Sequence, residues 1–368
     1  MRVLVVSGIW PPDVGGPASH APELAAFLLG RGHEVEVVTT AAAAPAAEAY
    51  PVRWASRRLP VGARHLAAAG LVGRRAARCD VVYSTGMLGR SAVGCALARR
   101  PFVVKLTQDP AFERALRRGR FRGDPVQFQS SRAAPLLRAA RDAELRRAAH
   151  VICPSAFLAG LVRGWGVPAD RISVLPNPVP PVAALPPRAA SGRPLLAFAG
   201  RLTAPKDLAV ALEAVARVPE VELVLAGDGD ERAALEARAH ALGLDGRVRF
   251  LGSLPREDVL ALFRRADAVL LSSRWENFPH TLVEGLAVGT PAIATAVGGV
   301  PEIVADGENG LLVAPGDPEA LATAVRRFLA DEELRKRLAA AAASSAERFS
   351  AERVYGELEA ILLRAAAR

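Results

Sequence analysis

Two carboxylates eight residues apart, Glu276 and Glu284, are the first candidates for chemistry in this chain. They lie in the stretch SSRWENFPHTLVEGLAVGTPAIATAVGGVPE, residues 272–302. Its pattern predicts a strand end, a polar loop carrying Glu276, a helix carrying Glu284, a short apolar strand and a glycine turn. The alternative is a surface loop with a solvated glutamate beside an ordinary amphipathic helix.

The start of that helix is a candidate anion site. Pro279 suits the first helical position, because proline lacks the N–H that a helix start leaves unpaired. The residues behind it whose amides are expected to lack an intrahelical partner are His280, Thr281 and Leu282. Unpaired amides and the helix dipole together attract anions. Two carboxylates that bracket such a site suit a ligand with polyol groups on both sides of a phosphate, and a sugar nucleotide has that layout.

Two cations, Arg201 and Lys206, lie in the stretch GRLTAPKD after a predicted strand. Arginine can bind two phosphate oxygens at once, and lysine supplies a point charge. The alternative is a salt bridge at a helix start, for example between Lys206 and Asp207 or Glu213. Together with the helix start, the two glutamates and a glycine loop near the N-terminus, the two cations favour a diphosphate site.

That glycine loop, PPDVGGPASH, follows a strand predicted over residues 2–7 and precedes a helix predicted over about 18–30. Gly15 and Gly16 would let backbone amides approach an anion closely, although a tight turn alone could also require them. His20 follows the loop, and local packing on the helix face is its expected role. The strand–loop–helix–strand order is Rossmann-like but lacks the G-x-G-x-x-G dinucleotide pattern.

Two aspartate patterns each have a competing interpretation. Asp109 ends a predicted strand in TQDPAFERA, where it could contact an acceptor substrate or cap the following helix. The segment after it, residues 114–129, lacks a clear period and contains two glycines, which predicts a mobile basic loop. Asp228-Gly229-Asp230 resembles a metal-binding D-x-D, but it falls at a strand-to-helix turn, where Asp230 would cap the helix.

Charge is distributed unevenly along the 368 residues, whose net charge is +9. Residues 1–178 hold 25 Lys and Arg against 12 Asp and Glu, a net of +13, and residues 179–368 hold 22 against 26, a net of −4. A basic first half attracts a phosphorylated substrate or an anionic membrane surface, unless arginine merely covers its solvated helix faces. Nucleic acid is not an expected partner, because few aromatics interleave with the arginines and no binding motif appears.

Cysteine usage indicates a reducing compartment. The three cysteines are odd in number, lack metal-ligand spacing and lie in apolar surroundings: they are Cys79, Cys95 and Cys153. The first ten residues predict a strand rather than a signal peptide, and no apolar run approaches membrane-spanning length. The expected location is the cytoplasm, with peripheral contact to the inner face of the plasma membrane as an option.

Strands and helices alternate along the chain, and seven prolines interrupt the alternation in residues 176–194. Such a sequence cannot sustain a helix or a central strand, so a linker is expected there. The sequence predicts an α/β protein of two Rossmann-like, doubly wound domains that face each other across a cleft. The expected ranges are 1–178 for the first domain, 179–193 for the linker and 194–349 for the second domain.

The candidate residues match a known pattern over essentially the whole chain. The chain resembles the retaining GT-B glycosyltransferases of family 4, which use nucleotide sugars. The resemblance rests on the segments PPDVGGPASH, GRL-x3-K, ENFPHTLVE and GTPAIATAVGGVPEIV-x3-ENGLLV. It departs in two places. An aspartate, Asp109, stands where many members have a histidine, which leaves its catalytic role open, and the hinge PNPV lacks the glycine of the usual PNG.

The resemblance implies a role for each candidate residue. Glu284 would hold the ribose, Arg201 and Lys206 the diphosphate, and Gly16, next to Gly15, would add an amide from the first domain. The donor sugar hydroxyls would be held by Glu276 and by the residues after it: Asn277, Phe278, His280, Thr281 and Leu282. Catalytic roles would fall to Glu276, Arg201, Lys206 and Asp109. The C-terminal helix, from about residue 350, would return to the first domain.

The function expected from these features is transfer of a sugar, with retention at the anomeric carbon, from a nucleotide-diphosphate sugar to a hydroxyl acceptor. A lipid-linked or cell-envelope acceptor suits the basic first domain, and a soluble small molecule is the alternative. Cations and amides would neutralise the leaving group, so neither a metal ion nor another cofactor is expected. The alternatives from other classes are a GT-B sugar-nucleotide 2-epimerase and a non-catalytic binding subunit.

Overall fold

The computed structural model describes residues 1–13, 15–179 and 192–367, which form two compact units. The first unit consists of Met1–Pro178 and Glu352–Arg368, and the second of Val179–Ala351. Each unit has its own parallel sheet and its own hydrophobic core. Most of the expected linker lies outside the described residues.

The first unit is built on seven parallel strands. They are β1 (Arg2–Ser7), β2 (Glu34–Ala41), β3 (Val52–Ser56), β4 (Val81–Thr85), β5 (Phe102–Lys105), β6 (His150–Cys153) and β7 (Ile172–Val174). Their order in the sheet is β3-β2-β1-β4-β5-β6-β7. The chain adds β2 and β3 on one side of β1 and then crosses to add β4 on the other side, so the order of strands reverses between β1 and β4 although all of them are parallel. The β1 residues from Val3 to Val6 have no exposed surface, as their continuous aliphatic run predicts for a central strand covered on both faces.

Helices connect these strands. They are α1 (Gly16–Gly30), α2 (Val61–Ala76), α3 (Leu88–Ala98), α4 (Pro110–Arg117), α5 (Pro125–Ser130), α6 (Pro135–Arg146) and α7 (Ala156–Arg163). A short 3-10 turn, Ala169–Arg171, precedes β7. The order of strands and helices is that of a doubly wound sheet, in which ligands bind beyond the carboxyl ends of the strands next to the reversal.

The second unit repeats this plan with six parallel strands. They are β8 (Leu195–Ala199), β9 (Glu222–Ala226), β10 (Val248–Gly252), β11 (Ala268–Leu271), β12 (Ala292–Thr295) and β13 (Gly310–Val313). Their order is β10-β9-β8-β11-β12-β13, with the reversal between β8 and β11. The helices are α8 (Leu208–Ala216), α9 (Arg232–Ala241), α10 (Arg256–Arg265), α11 (His280–Ala287), α12 (Pro318–Ala330) and α13 (Glu332–Ala346). The two sheets confirm the predicted α/β class of two Rossmann-like units.

The last helix, α14 (Ala351–Ala366), follows the second unit in sequence but groups with the first. Glu359, with 8% of its surface exposed, lies 2.7 Å from Nε2 of His33 at the start of β2. The ring of Tyr355 packs against Phe27 of α1, with 5.5 Å between the ring centroids. Polar and aromatic contacts therefore both attach α14 to the first unit.

The three cysteines are free and buried, as the sequence predicted. Burial raises the pKa of the Cys79 thiol to about 11 and those of Cys95 and Cys153 to about 12. Thiols with such pKa values are poor nucleophiles at neutral pH. Among the described residues, no helix is both long enough and apolar enough to cross a membrane.

The prediction of a mobile loop over residues 114–129 is wrong, because the segment lies in α4, α5 and the turn between them. α4 follows Asp109, whose Oδ1 accepts a hydrogen bond from the amide of Ala111 at 2.8 Å. α5 follows Asp124, whose Oδ1 accepts from the amide of Gln127 at 2.8 Å. Each aspartate is followed by proline at the first helical position, so two strong helix starts replace the missing hydrophobic period.

The same segment has an aromatic core of its own. Phe112, Phe121 and Phe128 pack against one another with ring centroids 5.2–6.2 Å apart. The two glycines that suggested a loop, Gly119 and Gly123, have φ angles of 62° and 139° and lie between the helices. They therefore mark the turn that brings the three rings together and do not make the whole segment irregular.

Asp109 is also half of a buried ion pair. Its Oδ2 accepts hydrogen bonds from Nη1 of Arg141 at 2.6 Å and from Nε2 of Gln129 at 2.9 Å. Asp109 and Arg141 each expose 1% of their surface, and the guanidinium stacks 3.8 Å from the ring centroid of Trp165. Both carboxylate oxygens of Asp109 thus have protein partners, which favours the helix-cap interpretation over contact with an acceptor.

Breaking this ion pair should destabilise the first unit. We expect Arg141→Met to lower the free energy of unfolding by about 3–5 kcal/mol, because it leaves the buried Asp109 carboxylate without its charged partner. Asp109→Asn should also destabilise the unit, but by less, because Arg141 keeps its ion pair with Asp142 at 2.8 Å. The double variant should lose less than the sum, since it buries neither charge. Urea unfolding followed by tryptophan fluorescence measures all three. An Asp109→Asn protein of unchanged stability would contradict the structural role of this carboxylate.

Candidate active site

The candidate residues of the second unit follow the two strands that flank its reversal. The first loop, Thr203–Asp207, comes after β8 and carries Lys206, and the second loop, Ser272–Glu276, comes after β11. Because β8 and β11 are adjacent parallel strands, their carboxyl ends lie at the same edge of the sheet. This edge is where doubly wound sheets bind ligands.

Lys206 and Glu276 meet between the two loops. Nζ of Lys206 lies 2.5 Å from Oε1 of Glu276, and the same oxygen accepts a hydrogen bond from the hydroxyl of Ser273 at 2.7 Å. Glu276 is 8% exposed, so the pair is largely removed from solvent. The alternative partners proposed for Lys206 are wrong, since Asp207 pairs with Arg274, and Glu213 pairs with one arginine just after α8 and another on α9.

Further contacts fix the two loops to each other. Arg274 donates to Asp207 from Nε at 2.7 Å and from Nη2 at 3.2 Å, and its amide donates to the carbonyl of Pro205 at 2.9 Å. The hydroxyl of Ser272 donates to the carbonyl of Lys206 at 3.0 Å. These bonds hold the backbone on either side of the Lys206–Glu276 pair. The positions of the two charged groups are therefore set by the loops that carry them.

A glycine turn after β12 completes the support of Glu276. The amide of Gly299 donates to the carbonyl of Glu276 at 3.2 Å. Gly298 has a φ of 53°, and a Cβ on it would lie 1.7 Å from that carbonyl oxygen. The close approach requires glycine at residue 298, which accounts for the glycine turn that the sequence showed after the short apolar strand.

The start of α11 differs from the prediction in two respects. Pro279 is the residue before the helix rather than its first residue, and α11 begins at His280. The amide of Leu282 donates to the carbonyl of Pro279 at 3.2 Å, so the prediction that it lacks an intrahelical partner is wrong. The ring of Phe278 packs against Phe349 at 5.6 Å between centroids, and Leu282 has no exposed surface. Both side chains thus belong to the core, which leaves backbone groups as their means of contacting a ligand.

Four more predicted residues lie along this segment or before it. Asn277 is 9% exposed, whereas Thr281 is half-buried and His280 is exposed at the first turn of α11. Arg201 is exposed directly after β8, and its side chain has no hydrogen-bond or ion-pair partner in the described parts of the chain. An exposed guanidinium without an internal partner is available to bind an anion.

Glu284 lies on α11 and pairs with a residue that the sequence analysis did not single out. Nε of Arg256, the first residue of α10, donates to Oε1 of Glu284 at 2.8 Å. Burial raises the pKa of the Glu284 carboxyl above its ordinary value, and the hydrogen bond from Arg256 opposes that rise. Nothing in the local sequence marks Arg256, because α10 and α11 come together only in the folded unit.

The Asp228-Gly229-Asp230 turn is tightly packed against the backbone after β8. A Cβ on Gly229 would lie 2.2 Å from the carbonyl oxygen of Leu202, and the amide of Leu202 donates to the carbonyl of Asp228 at 2.9 Å. The prediction that Asp230 caps the next helix is wrong, since α9 starts at Arg232 and its preceding residue makes no side-chain cap. The glycine between the aspartates is explained by this close approach of two backbones.

The candidates of the first unit lie at the loop after β1. Gly15 precedes α1 with a φ of 151°, a conformation that favours glycine, and Gly16 is the first residue of the helix. Nε2 of His20 lies 2.6 Å from the hydroxyl of Tyr83, and its ring stacks near Tyr355 at 5.4 Å between centroids. His20 therefore packs locally, between β4 and α14.

Two family models together match most of the chain. The model for the glycosyl transferase 4-like domain matches residues 15–178, and the model for glycosyl transferases group 1 matches residues 186–345. The first match falls within the first unit and the second within the second unit. The boundary between the models thus falls near the boundary between the units.

Two relatives match over part of their length. The lipopolysaccharide core biosynthesis glycosyltransferase LpsE of Rhizobium meliloti is 40% identical over 40% of this chain and 42% of its own length. The D-inositol 3-phosphate glycosyltransferase of Xylanimonas cellulosilytica is 37% identical over 51% of this chain and 50% of its own. The match spans half or less of each relative.

Among solved structures, HepE of Anabaena in complex with UDP-glucose superposes with a TM-score of 0.78 at 22% sequence identity. The superposition covers 99% of this chain and 100% of HepE, so the two share their fold. The two family models show that the chain belongs to the group 1 glycosyltransferases of the family 4 type, and the likeness to HepE shows that it has the GT-B fold.

Proposed function

We propose that the protein transfers a sugar, with retention at the anomeric carbon, from a nucleotide-diphosphate sugar to a hydroxyl acceptor. The observation that carries the proposal is the contact of Lys206 with Glu276 at the reversal of the second sheet. It sets a cation suited to a leaving diphosphate beside a carboxylate suited to sugar hydroxyls. A nucleotide donor is further supported by HepE, which holds UDP-glucose in its solved structure.

In this proposal each charged residue contacts a different part of the donor. Lys206 and the exposed Arg201 bind the diphosphate, and Glu276 accepts hydrogen bonds from hydroxyls of the donor sugar. Glu284 accepts two hydrogen bonds from the ribose diol, for which a carboxylate is well shaped. The hydrogen bond from Arg256 favours the ionised form of the Glu284 carboxylate against the effect of burial. The amides at the start of α11 add positive potential near the phosphates.

The proposed path keeps the reaction on one face of the sugar. The bond between the anomeric carbon and the leaving phosphate oxygen breaks as the acceptor oxygen attacks from the same side. Negative charge develops on the diphosphate as that bond breaks, and the leaving oxygen then takes the acceptor proton. Lys206 and Arg201 would stabilise that charge more strongly in the transition state than in the ground state, which is what raises turnover.

We propose that no metal ion and no further cofactor take part, because the two cations neutralise the charge that a metal would otherwise balance. Full turnover in excess chelator is the expected result, and its abolition would contradict the proposal.

We propose a phosphorylated or lipid-linked acceptor, in keeping with the net charge of +13 on residues 1–178. The relatives named for a lipopolysaccharide core and for D-inositol 3-phosphate support acceptors of this kind.

Removing either diphosphate cation should slow the chemical step. We expect Lys206→Met and Arg201→Met to lower kcat by about 10²-fold or more, because the lost contacts are strongest in the transition state. The matched control is Lys336→Met, which removes an exposed lysine of α13 that pairs only with surface glutamates. Release of nucleoside diphosphate measures turnover, and an effect on the donor KM alone would contradict the proposal.

Donor binding should depend on pH through Glu284. Only the ionised carboxylate accepts both ribose hydrogen bonds, so affinity should be full above the Glu284 pKa and fall as pH drops through it. Burial raises that pKa and Arg256 opposes the rise, so Arg256→Ala should move the midpoint to higher pH. Donor affinity measured against pH tests this, with Arg249→Ala as the control at an exposed ion pair. An unchanged midpoint in Arg256→Ala would show that Glu284 does not govern binding.

A further inference from the structure

The first unit contains a cavity of about 730 Å³ that the proposed donor contacts do not use. It opens where β4 and β5 end, next to the reversal of the first sheet, and α2, α4 and α6 contribute to its walls. Its charged lining is dominated by arginine: the basic side chains include Arg64, Arg90, Arg114, Arg117 and Arg118. The carboxyl edge of a doubly wound sheet is the usual place for a ligand.

The central arginines of this basic pocket form no ion pairs among the described residues. In the described parts of the chain, no carboxylate lies within 4.0 Å of the guanidinium groups of Arg90 or Arg114, although both side chains are half-buried. Nη1 of Arg64 donates a hydrogen bond to the carbonyl of Arg57 at 3.5 Å. Several arginines thus share one cavity with no carboxylate in contact with its two central guanidinium groups, so the pocket has an excess of positive charge that an anion would balance.

The pKa shifts of the lining groups indicate the same excess of positive charge. Burial, and then the charges of Arg64 and Arg114, lower the pKa of the Arg90 guanidinium. Burial, and then the charges of Arg90, Arg64 and Arg114, lower the pKa of the His65 imidazole. Because three arginines repel further positive charge in one cavity, a bound anion would relieve the repulsion as well as form hydrogen bonds.

The two glutamates of the pocket do not neutralise it. Glu113 is hydrogen-bonded to the side-chain amide of Gln108. Glu144, on α6, has its Oε2 buried with no hydrogen-bond partner in the described structure, and burial raises the pKa of its carboxyl while the charges of Arg114 and Arg147 oppose the rise. A buried oxygen without a partner is costly unless a ligand supplies a donor. A hydroxyl group from the ligand would satisfy it.

We infer that this basic pocket binds the acceptor through a phosphate or diphosphate group, with Glu144 accepting a hydrogen bond from an acceptor hydroxyl. The inference rests on the proposed function, since it assigns the anionic part of the substrate that receives the sugar. Arg90 and Arg114 act as binding residues, because an arginine fork matches two phosphate oxygens. The ligand is therefore a phosphorylated polyol, carried either by a lipid diphosphate or by a soluble sugar phosphate.

The test measures anion binding with the donor site removed. In an Arg201→Met/Lys206→Met background, calorimetry at constant ionic strength would follow pyrophosphate, glucose 1-phosphate and geranyl diphosphate. Arg90→Met and Arg114→Met should each weaken the binding of all three by about tenfold to a hundredfold. The control Arg78→Met, at an exposed arginine outside the pocket, should leave it unchanged. Tighter binding of geranyl diphosphate identifies a lipid source, and tighter binding of glucose 1-phosphate a soluble one.

Two further readouts separate this role from a structural one. Arg90→Met should not lower the melting temperature, because it relieves repulsion among the arginines. Glu144→Gln should weaken the binding of glucose 1-phosphate more than that of pyrophosphate, which has no sugar hydroxyl for Glu144 to accept from. Equal affinity of Arg90→Met and the background protein for all three anions would overturn the inference. Binding of nucleotide sugars to the otherwise unaltered Arg90→Met protein is measured separately, so a failure there would count against the proposed function and not against the pocket.

Discussion

The candidate active site depends on one ion pair, formed between Lys206 after β8 and Glu276 after β11. Two adjacent parallel strands end at the same edge of the sheet, and their helices leave in opposite directions, so the space above them stays open for a ligand. Keeping a nearly buried carboxylate there would be unfavourable without the ammonium group and the hydroxyl of Ser273. The contact of Arg274 with Asp207 and the glycine turn at Gly298 both serve to hold this pair in place.

The first unit contains both charged groups that have an opposite charge in contact and charged groups that do not. Asp109 and Arg141 are buried, and Arg141 is also paired with Asp142, so these charges are compensated within the unit and none is left for a ligand. Arg90 and Arg114 are only half-buried and have no carboxylate beside them in the described residues, so their charge is left over. A charge with a partner inside the unit serves the fold, whereas a charge without one is available to bind a ligand. Both kinds of charge lie close to the end of β5.

Sequence alone predicted the parts of the fold that local pattern determines. Continuous aliphatic runs such as β1 were sufficient to predict the two sheets. The cations and carboxylates at strand ends were sufficient to select the charged residues that lie after the strands of the second unit. What the sequence missed depends on contacts between distant segments. The partner of Glu284 is Arg256 on another helix, and that of Asp109 is Arg141, 32 residues away. The helices within 114–129 were missed because aspartate–proline starts and three packed phenylalanines replaced the usual hydrophobic period.

The central claim is that the second unit binds a nucleotide sugar through Glu284 and the Lys206–Glu276 pair. The most direct measurement is thermal stabilisation of the protein by UDP-, GDP-, ADP- and TDP-sugars, repeated with Glu284→Ala. A ligand that binds only the folded state raises stability in proportion to ln(1 + [L]/Kd), so a millimolar panel detects micromolar binders. The account predicts that one nucleotide series stabilises the protein and that Glu284→Ala abolishes the effect. Stabilisation by none of them, or by all equally with and without Glu284, would contradict it.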